Sequence, residues 1–391
     1  MTTAARIDVD ALQASLLELL ALDTGVPEGA TEIAPGDPRI VAAVDEVVLP
    51  ALTALDPAEV RRHPLGDAAV RFGPPGDDGL LLQTYVVTQH ANLMADPLAA
   101  RIVDGAPHGV DGPAAVGRGA SQSKGPLAAA LAAVAALDAP LARPLWVTVN
   151  TEGRSSHGGS QRLLDDLGVR AAWGVLAFGT DLAVSLGNRG RVDVVVTVAG
   201  ESCHSSQPHL GRNPIEGAAD VVAALRATPL PPPHPDLGPA TATPYQLVCS
   251  PVAPHTIPSQ ARLVVDRRLL PGEEPEAAVA ALAAHLGASV DWPLDVRQDV
   301  VMLPAAVTAD APVVRALVDG VAAQRGSAPA PFWSRNTFDA GYACAKGIPT
   351  VMFGPGRRAF GADVTAAEVV AVDDCRVAAE ALHHAITTLC C

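Results

Sequence analysis

Short, almost wholly apolar runs separated by alanine-rich stretches organise this chain. Residues 80–87, 144–149 and 174–178 have the length and continuous apolar character of buried strands, and residues 126–137 predict a helix with proline at its first position. A sheet covered by helices follows from that alternation. The pattern changes near Arg189. Residues 192–199 alternate as a half-exposed strand does, and residues 214–226 predict a helix. A proline-rich loop at 230–239 follows, then a strand at 261–270 and a helix at 275–286. After Leu303 the first pattern returns, with a helix at 312–325 and a strand at 348–353. The closing helix spaces Cys375, Ala378, Ala379, Leu382, Ala385, Ile386 and Leu389 on one face. We therefore expect an α/β domain with a central mixed sheet, split into residues 1–188 and 301–391 around a smaller α+β lid at 189–300.

Composition narrows the partners. The 391 residues are 49% apolar and carry a formal charge of −15 (27 Lys+Arg, 42 Asp+Glu), with no basic run to follow a phosphate backbone. Nucleic acid is excluded as an expected partner. The first apolar stretch, 12–22, is helix-periodic with Glu18 inside it, and no apolar run reaches membrane-spanning length, so the expectation is a cytoplasmic protein. The six cysteines show no CxxC spacing and read as reduced thiols, several of them core fillers.

Four passages carry chemistry: GRGASQSKGPLAAAL (117–131), GESCHSSQPHLGRNPIEGA (200–218), DRRLLPGEE (266–274) and DAGYACAKGIPTVMFGPG (339–356). In this order and spacing the chain resembles the dinuclear zinc peptidases and aminoacylases: acetylornithine deacetylases, succinyl-diaminopimelate desuccinylases and glutamate carboxypeptidases. The resemblance implies a catalytic domain interrupted by a lid that commonly dimerises. It also implies two zinc ions that polarise an amide carbonyl and activate a bridging water while a glutamate takes its proton. The ligand positions carry other residues here. Tyr85 and Val87 stand where the family has His-x-Asp, and Gln122 replaces the bridging Asp. Gly153 and Arg154, or Ser155 and Ser156, align with the Glu-Glu pair. The further acid is lost around Phe178–Asp181, and the late His falls at Val364. The lid residues remain. His204 matches a histidine that stabilises an oxyanion in the partner subunit's site, Arg268 an arginine that binds a substrate carboxylate, and Asn213 an asparagine that holds substrate.

Several candidates have two readings. Ser155 or Ser156 beside His157 forms either a nucleophile and base or a small polar turn before Gly158–Gly159. Arg154 either replaces the missing cations or faces solvent, and Tyr85 and Gln122 either fill vacated space or donate to a substrate carbonyl. Lys124 is either structural or a buried amine base. His90 is a displaced acid–base or binding group, or a solvated strand-exit histidine. The expectation is an enzyme without metal or cofactor, acting on a small carboxylate substrate by cyclisation, condensation or acyl transfer in a biosynthetic setting. It would be a homodimer through its lid. A zinc hydrolase with other ligands and a non-catalytic binding protein are the alternatives.

Overall fold

The computed structural model describes residues 7–30, 32–89, 94–152, 156–357 and 368–391, which form two compact units: Met1–Gly187 with Ala305–Trp333 and Asp339–Cys391, and Asn188–Pro304 with Ser334–Phe338. In the first unit the long sheet contains β1 (Glu59–Arg62), β2 (Ala68–Phe72), β3 (Leu80–Tyr85), β6 (Leu145–Asn150), β7 (Trp173–Ala177), β8 (Ser185–Asn188), β15 (Ala305–Ala306), β16 (Phe332–Ser334) and β17 (Thr350–Phe353). Its order is β1-β2-β6-β3-β7-β17-β8-β15, with β16 paired to β8. β6, β3, β7 and β17 are mutually parallel, whereas β1 and β2 are antiparallel to their neighbours. Every residue of β3, β6 and β17 is buried, which explains why these strands are mostly apolar rather than alternating. A second sheet, β18 (Val369–Ala371)–β5 (Pro113–Val116)–β4 (Arg101–Asp104), lies in the same unit.

Among the described residues four longer helices and several short ones cover this unit. α1 (Val9–Ala21) is capped by Asp8, whose carboxylate accepts from the Ala11 N–H. It packs on α4 (Gly125–Ala135), and α10 (Val372–Cys390) packs on both α4 and α8 (Pro312–Arg325). The short α9 (Ala340–Ala345) rests on β7 and β17 and on α5 (Gly158–Gln161). Two further short helices, α2 (Pro38–Ala43) and α3 (Leu49–Thr53), flank a π-helical turn at Val44–Val48.

In the second unit β9 (Gly190–Ala199), β11 (Thr241–Ser250), β13 (Gln260–Leu269) and β14 (Leu294–Met302) form an antiparallel sheet, β11-β13-β9-β14. β10 (Cys203–His204) and β12 (Thr256–Ile257) make a separate ribbon. One sheet face is closed by α6 (Pro214–Leu225) and α7 (Pro275–Ser289). Val192, Val194, Val196 and Val198 of β9 meet Leu263, Val265, Val221 and Leu282 there. The opposite face carries Arg191 and Asp193 of β9 beside Arg268 and Asp266 of β13. Among the described residues no helix is long and apolar enough to cross a membrane.

Candidate active site

Parallel strands end together, and ligand crevices in open α/β sheets lie beyond their carboxyl ends. Here β3, β6, β7 and β17 end at Tyr85, Asn150, Ala177 and Phe353. Tyr85 is fully buried, and its hydroxyl donates to Asp339 Oδ2. The other carboxylate oxygen of Asp339, Oδ1, lies 2.7 Å from His157 Nδ1. All three side chains are buried, and Asp339 sits immediately before α9. Asp339 thus joins two of the sequence candidates, Tyr85 and His157. The bond assigns the proton to His157 Nδ1, making Nε2 the basic nitrogen when the ring is neutral. The edge of Phe178 meets the Tyr85 ring, and Tyr342 packs against His157 with ring centroids 5.2 Å apart. Tyr342 in turn donates to Asp165, which pairs with Lys346.

The segment leading to His157 is braced by carboxylates. Buried Asp67 accepts from the Thr151 N–H at 3.0 Å and from Arg162 Nε, and Arg162 Nη1 reaches Glu152 Oε2 at 2.7 Å. Ser156 donates to Glu152 Oε1 at 2.7 Å rather than to the adjacent His157, so these neighbours do not form a nucleophile–base pair. Gly158 and Gly159 have a specific reason. A Cβ at Gly159 would lie 1.9 Å from Asn150 Oδ1, and one at Gly158 would lie 2.3 Å from Glu152 Oε1. Arg154, Ser155, His90 and the Val364 position lie outside the described residues.

Gln122 belongs to a turn held by Glu368, whose carboxylate accepts from the backbone N–H groups of Gly119, Ser121 and Gln122 at 2.8–3.1 Å. Beyond β7, Asp181 and Leu182 both have left-handed backbones (φ 53° and 60°), a costly conformation for residues with a side chain. The Asp181 N–H donates to Gly356 O at 2.7 Å, tying this turn to the one after β17.

Lys124 is buried with its ammonium on the Leu22 carbonyl at 2.6 Å, and burial lowers its pKa to about 8. Between that value and the ordinary 10.5, the unfolded chain holds a proton that the folded chain has lost. The burial cost is therefore present in full below pH 8 and is relieved as pH rises. In urea titrations the stability of the wild type relative to Lys124→Met should rise by roughly 2–3 kcal/mol from pH 7 to 10.5. A difference that stays flat across this range would refute the assignment.

The second unit holds the remaining candidates. Arg268 is gripped by Asp266, Nε to Oδ1 at 2.7 Å and Nη2 to Oδ2 at 2.8 Å, leaving Nη1 outside the pair. Asn213 caps α6 by accepting from the Ile215 N–H at 3.2 Å. His204 is exposed on the β10–β12 ribbon, with Nδ1 2.8 Å from Ser206 Oγ and its ring stacked on His255. Asp339, Asp67 and Glu368 are site residues that the sequence reading misses. Asp339 opens one of the four diagnostic passages, and an acid before a short glycine-containing helix is the signal it carried.

Residues 186–291 match the M20 peptidase dimerisation domain. Succinyl-diaminopimelate desuccinylases from Acidiphilium cryptum and Cupriavidus necator are 34% and 31% identical over 42% and 41% of this chain. Those matches span less than half of the desuccinylases themselves, 43% and 44%. Among solved structures, a tripeptidase from Staphylococcus aureus superposes with a TM-score of 0.74 at 16% identity, covering 98% of this chain and 99% of that one. An M20 family metallo-carboxypeptidase from Sulfolobus solfataricus gives 0.72 at 16% identity, covering 97% and 98%. The α/β fold is the one these peptidase structures share, and residues 186–291 resemble a peptidase dimerisation domain. In fold the chain is similar to these peptidases, and part of it is similar in sequence to the desuccinylases.

The donor set can be tested against the two zinc ions of that family. Zinc sites use converging thiolate, imidazole and carboxylate donors. At the first two expected positions stand a phenol already donating to Asp339 and the buried side chain of Val87. Among the described residues no group of three or more His, Cys, Asp or Glu side chains is placed to hold a metal ion. These residues do not fit a paired zinc centre.

Proposed function

We propose that this chain is an enzyme of the peptidase and aminoacylase type that acts on the amide or carbonyl of a small amino-acid-like carboxylate without a paired zinc centre. The observation that carries this reading is the buried Tyr85–Asp339–His157 network at the carboxyl ends of the parallel strands. Asp339 orients the imidazole and stabilises its charged form, so His157 can take a proton from an attacking group and return it to the leaving group. Tyr85 occupies the second Asp339 oxygen and keeps the carboxylate fixed in that orientation. With no metal-activated water in this scheme, attack by a group on the substrate itself or on a second substrate suits the site. Cyclisation, condensation or acyl transfer in the making of a specialised metabolite is the reaction class proposed.

In the second unit Arg268, oriented by Asp266, is the proposed receptor for the substrate carboxylate, and His204 the proposed stabiliser of an oxyanion. Asn213 supports substrate binding through the helix end it caps. A homodimer is supported by the match to a dimerisation domain and by β11, the outer strand of its sheet, on which Tyr245, Leu247 and Val248 are exposed.

Elemental analysis of protein purified without chelator, followed by turnover of N-acyl amino acids with and without chelator, tests the reading. We expect well under two zinc ions per chain and chelator-insensitive turnover. Two zinc ions per chain with chelator-sensitive hydrolysis would establish a zinc hydrolase with other ligands. Ligand binding with no turnover of any such substrate would establish a binding protein.

A further inference from the structure

At the amino end of β6, away from Tyr85 and His157, arginines gather. Arg61 of β1 and Arg71 of β2 converge on Glu59, Arg61 Nε to Oε1 at 2.8 Å and Arg71 Nε to Oε2 at 3.1 Å. Both guanidinium groups lie over the ring of Trp146, 4.6 and 5.9 Å from its centroid. Trp146 is the second residue of β6, and the last, Asn150, stands in register with Tyr85. About 13 Å of strand therefore separates this cluster from the candidate active site.

Together with Arg170 and Asp77 these residues line an open cavity of about 420 Å³. Three cations face two carboxylates there, and both oxygens of Glu59 are already in use. Each arginine keeps an unused donor. Arg61 Nη1 holds the Leu167 carbonyl at 2.6 Å, Arg71 Nη1 the Gly73 carbonyl, and Arg170 Nη1 the carbonyls of Leu164 and Val169. Among the described residues Nη2 of all three makes no hydrogen bond. Arg71 is only 9% exposed, and it shares its one carboxylate with Arg61. A mostly buried cation in that position gains from an ionised oxygen that enters the cavity. Three guanidinium groups around one space call for more acceptor oxygens than a planar carboxylate presents, and a tetrahedral phosphate supplies them.

The same arginines grip the segment that carries His157. Residues 157–167 run from His157 through α5 to the π-helical turn Arg162–Asp166 and its cap, Leu167. His157 sits on Asp339, Arg162 sits on Asp67 and Glu152, and the carbonyls of Leu164 and Leu167 sit on Arg170 and Arg61. An anion that draws on Arg61 and Arg170 changes the hold on one end of a segment whose other end is His157.

We propose that this cavity binds a phosphate group, free or carried by a small molecule, and that its occupancy is transmitted to His157 through residues 157–167. Calling the site regulatory rests on the reading of His157 given above, whereas the binding does not. The two ends of the segment are held by different charged groups, so a ligand at one end has a direct mechanical connection to the other.

Calorimetric titration of the full chain at constant ionic strength tests the site, with inorganic phosphate, glycerol 3-phosphate and acetate as probes. Phosphate should saturate a single site that acetate does not fill, and whichever of the two phosphates binds more tightly names the source of the group. Arg170→Gln, at an exposed position, should weaken phosphate binding roughly tenfold to a hundredfold. Asp77→Asn, also exposed, removes a like charge and should tighten it roughly twofold to fivefold. Backbone hydrogen exchange in residues 158–167 should change when phosphate saturates the wild type, and not at the same concentration in Arg170→Gln. No saturable phosphate binding, acetate binding as tight as phosphate, or an affinity unchanged in either variant would overturn the site. Saturable binding that leaves exchange in 158–167 unaltered would overturn its regulatory role. The reading of His157 fails separately: if His157→Ala retains turnover, that reading is wrong, while its phosphate affinity should still equal that of the wild type.

Discussion

Asp339→Asn should lower turnover of the preferred N-acyl amino acid by roughly a thousandfold to ten-thousandfold, with little change in KM. An asparagine fits the space but cannot stabilise an imidazolium, and its amide N–H₂ can face the ring nitrogen that should carry the proton. Tyr85 and His157 bind opposite oxygens of one carboxylate, so the substitution disturbs both contacts while leaving the backbone before α9 in place. Steady-state kinetics beside a thermal melt separates the outcomes. A folded variant within threefold of wild-type turnover would remove the His157–Asp339 pair from the chemistry.

The largest loss of stability is expected at Asp67. Its fully buried carboxylate satisfies the Thr151 N–H and Arg162 Nε at once. Asp67→Ala would leave a mostly buried guanidinium short of its main anion and a buried N–H without an acceptor, a change that costs about 3–5 kcal/mol. Glu152 remains bonded to Arg162 and offsets part of the charge imbalance. A urea midpoint shift worth less than about 1 kcal/mol would mean that Glu152 alone satisfies Arg162. Turnover should fall as well, because Thr151 opens the segment that delivers His157 to Asp339.

The acids that build this site carry no local signal in the sequence, because their partners lie far along the chain: Asp339 meets Tyr85 and His157, and Asp67 meets Arg162. Tyr85 and His157 were both found as candidates, but as separate ones. Lys124 reads from the sequence as either a structural amine or a base, and its burial against the Leu22 carbonyl supports the structural role. Ser156 reads from the sequence as a nucleophile or a turn residue, and the structure gives its hydroxyl to Glu152.

Local pattern by itself determined the elements. The runs at 80–87, 144–149 and 174–178 are β3, β6 and β7 to within two residues, and the helices at 214–226 and 312–325 are α6 and α8 to within one. This works because burial on two faces or one imposes a period that is written into consecutive residues. The hairpin β1–β2 and the strands β4, β5 and β18 escaped because they are short or mix polar residues into the pattern. The order of the four motif passages carried the fold, since each passage fixes one turn of a known chain path. Only the tertiary structure decided the chemistry. Asp339 lies 254 residues from Tyr85 and 182 from His157. A hydrogen bond depends on a few tenths of an ångström and on direction. No periodicity along the chain records which distant side chains the packed sheet will bring within that reach.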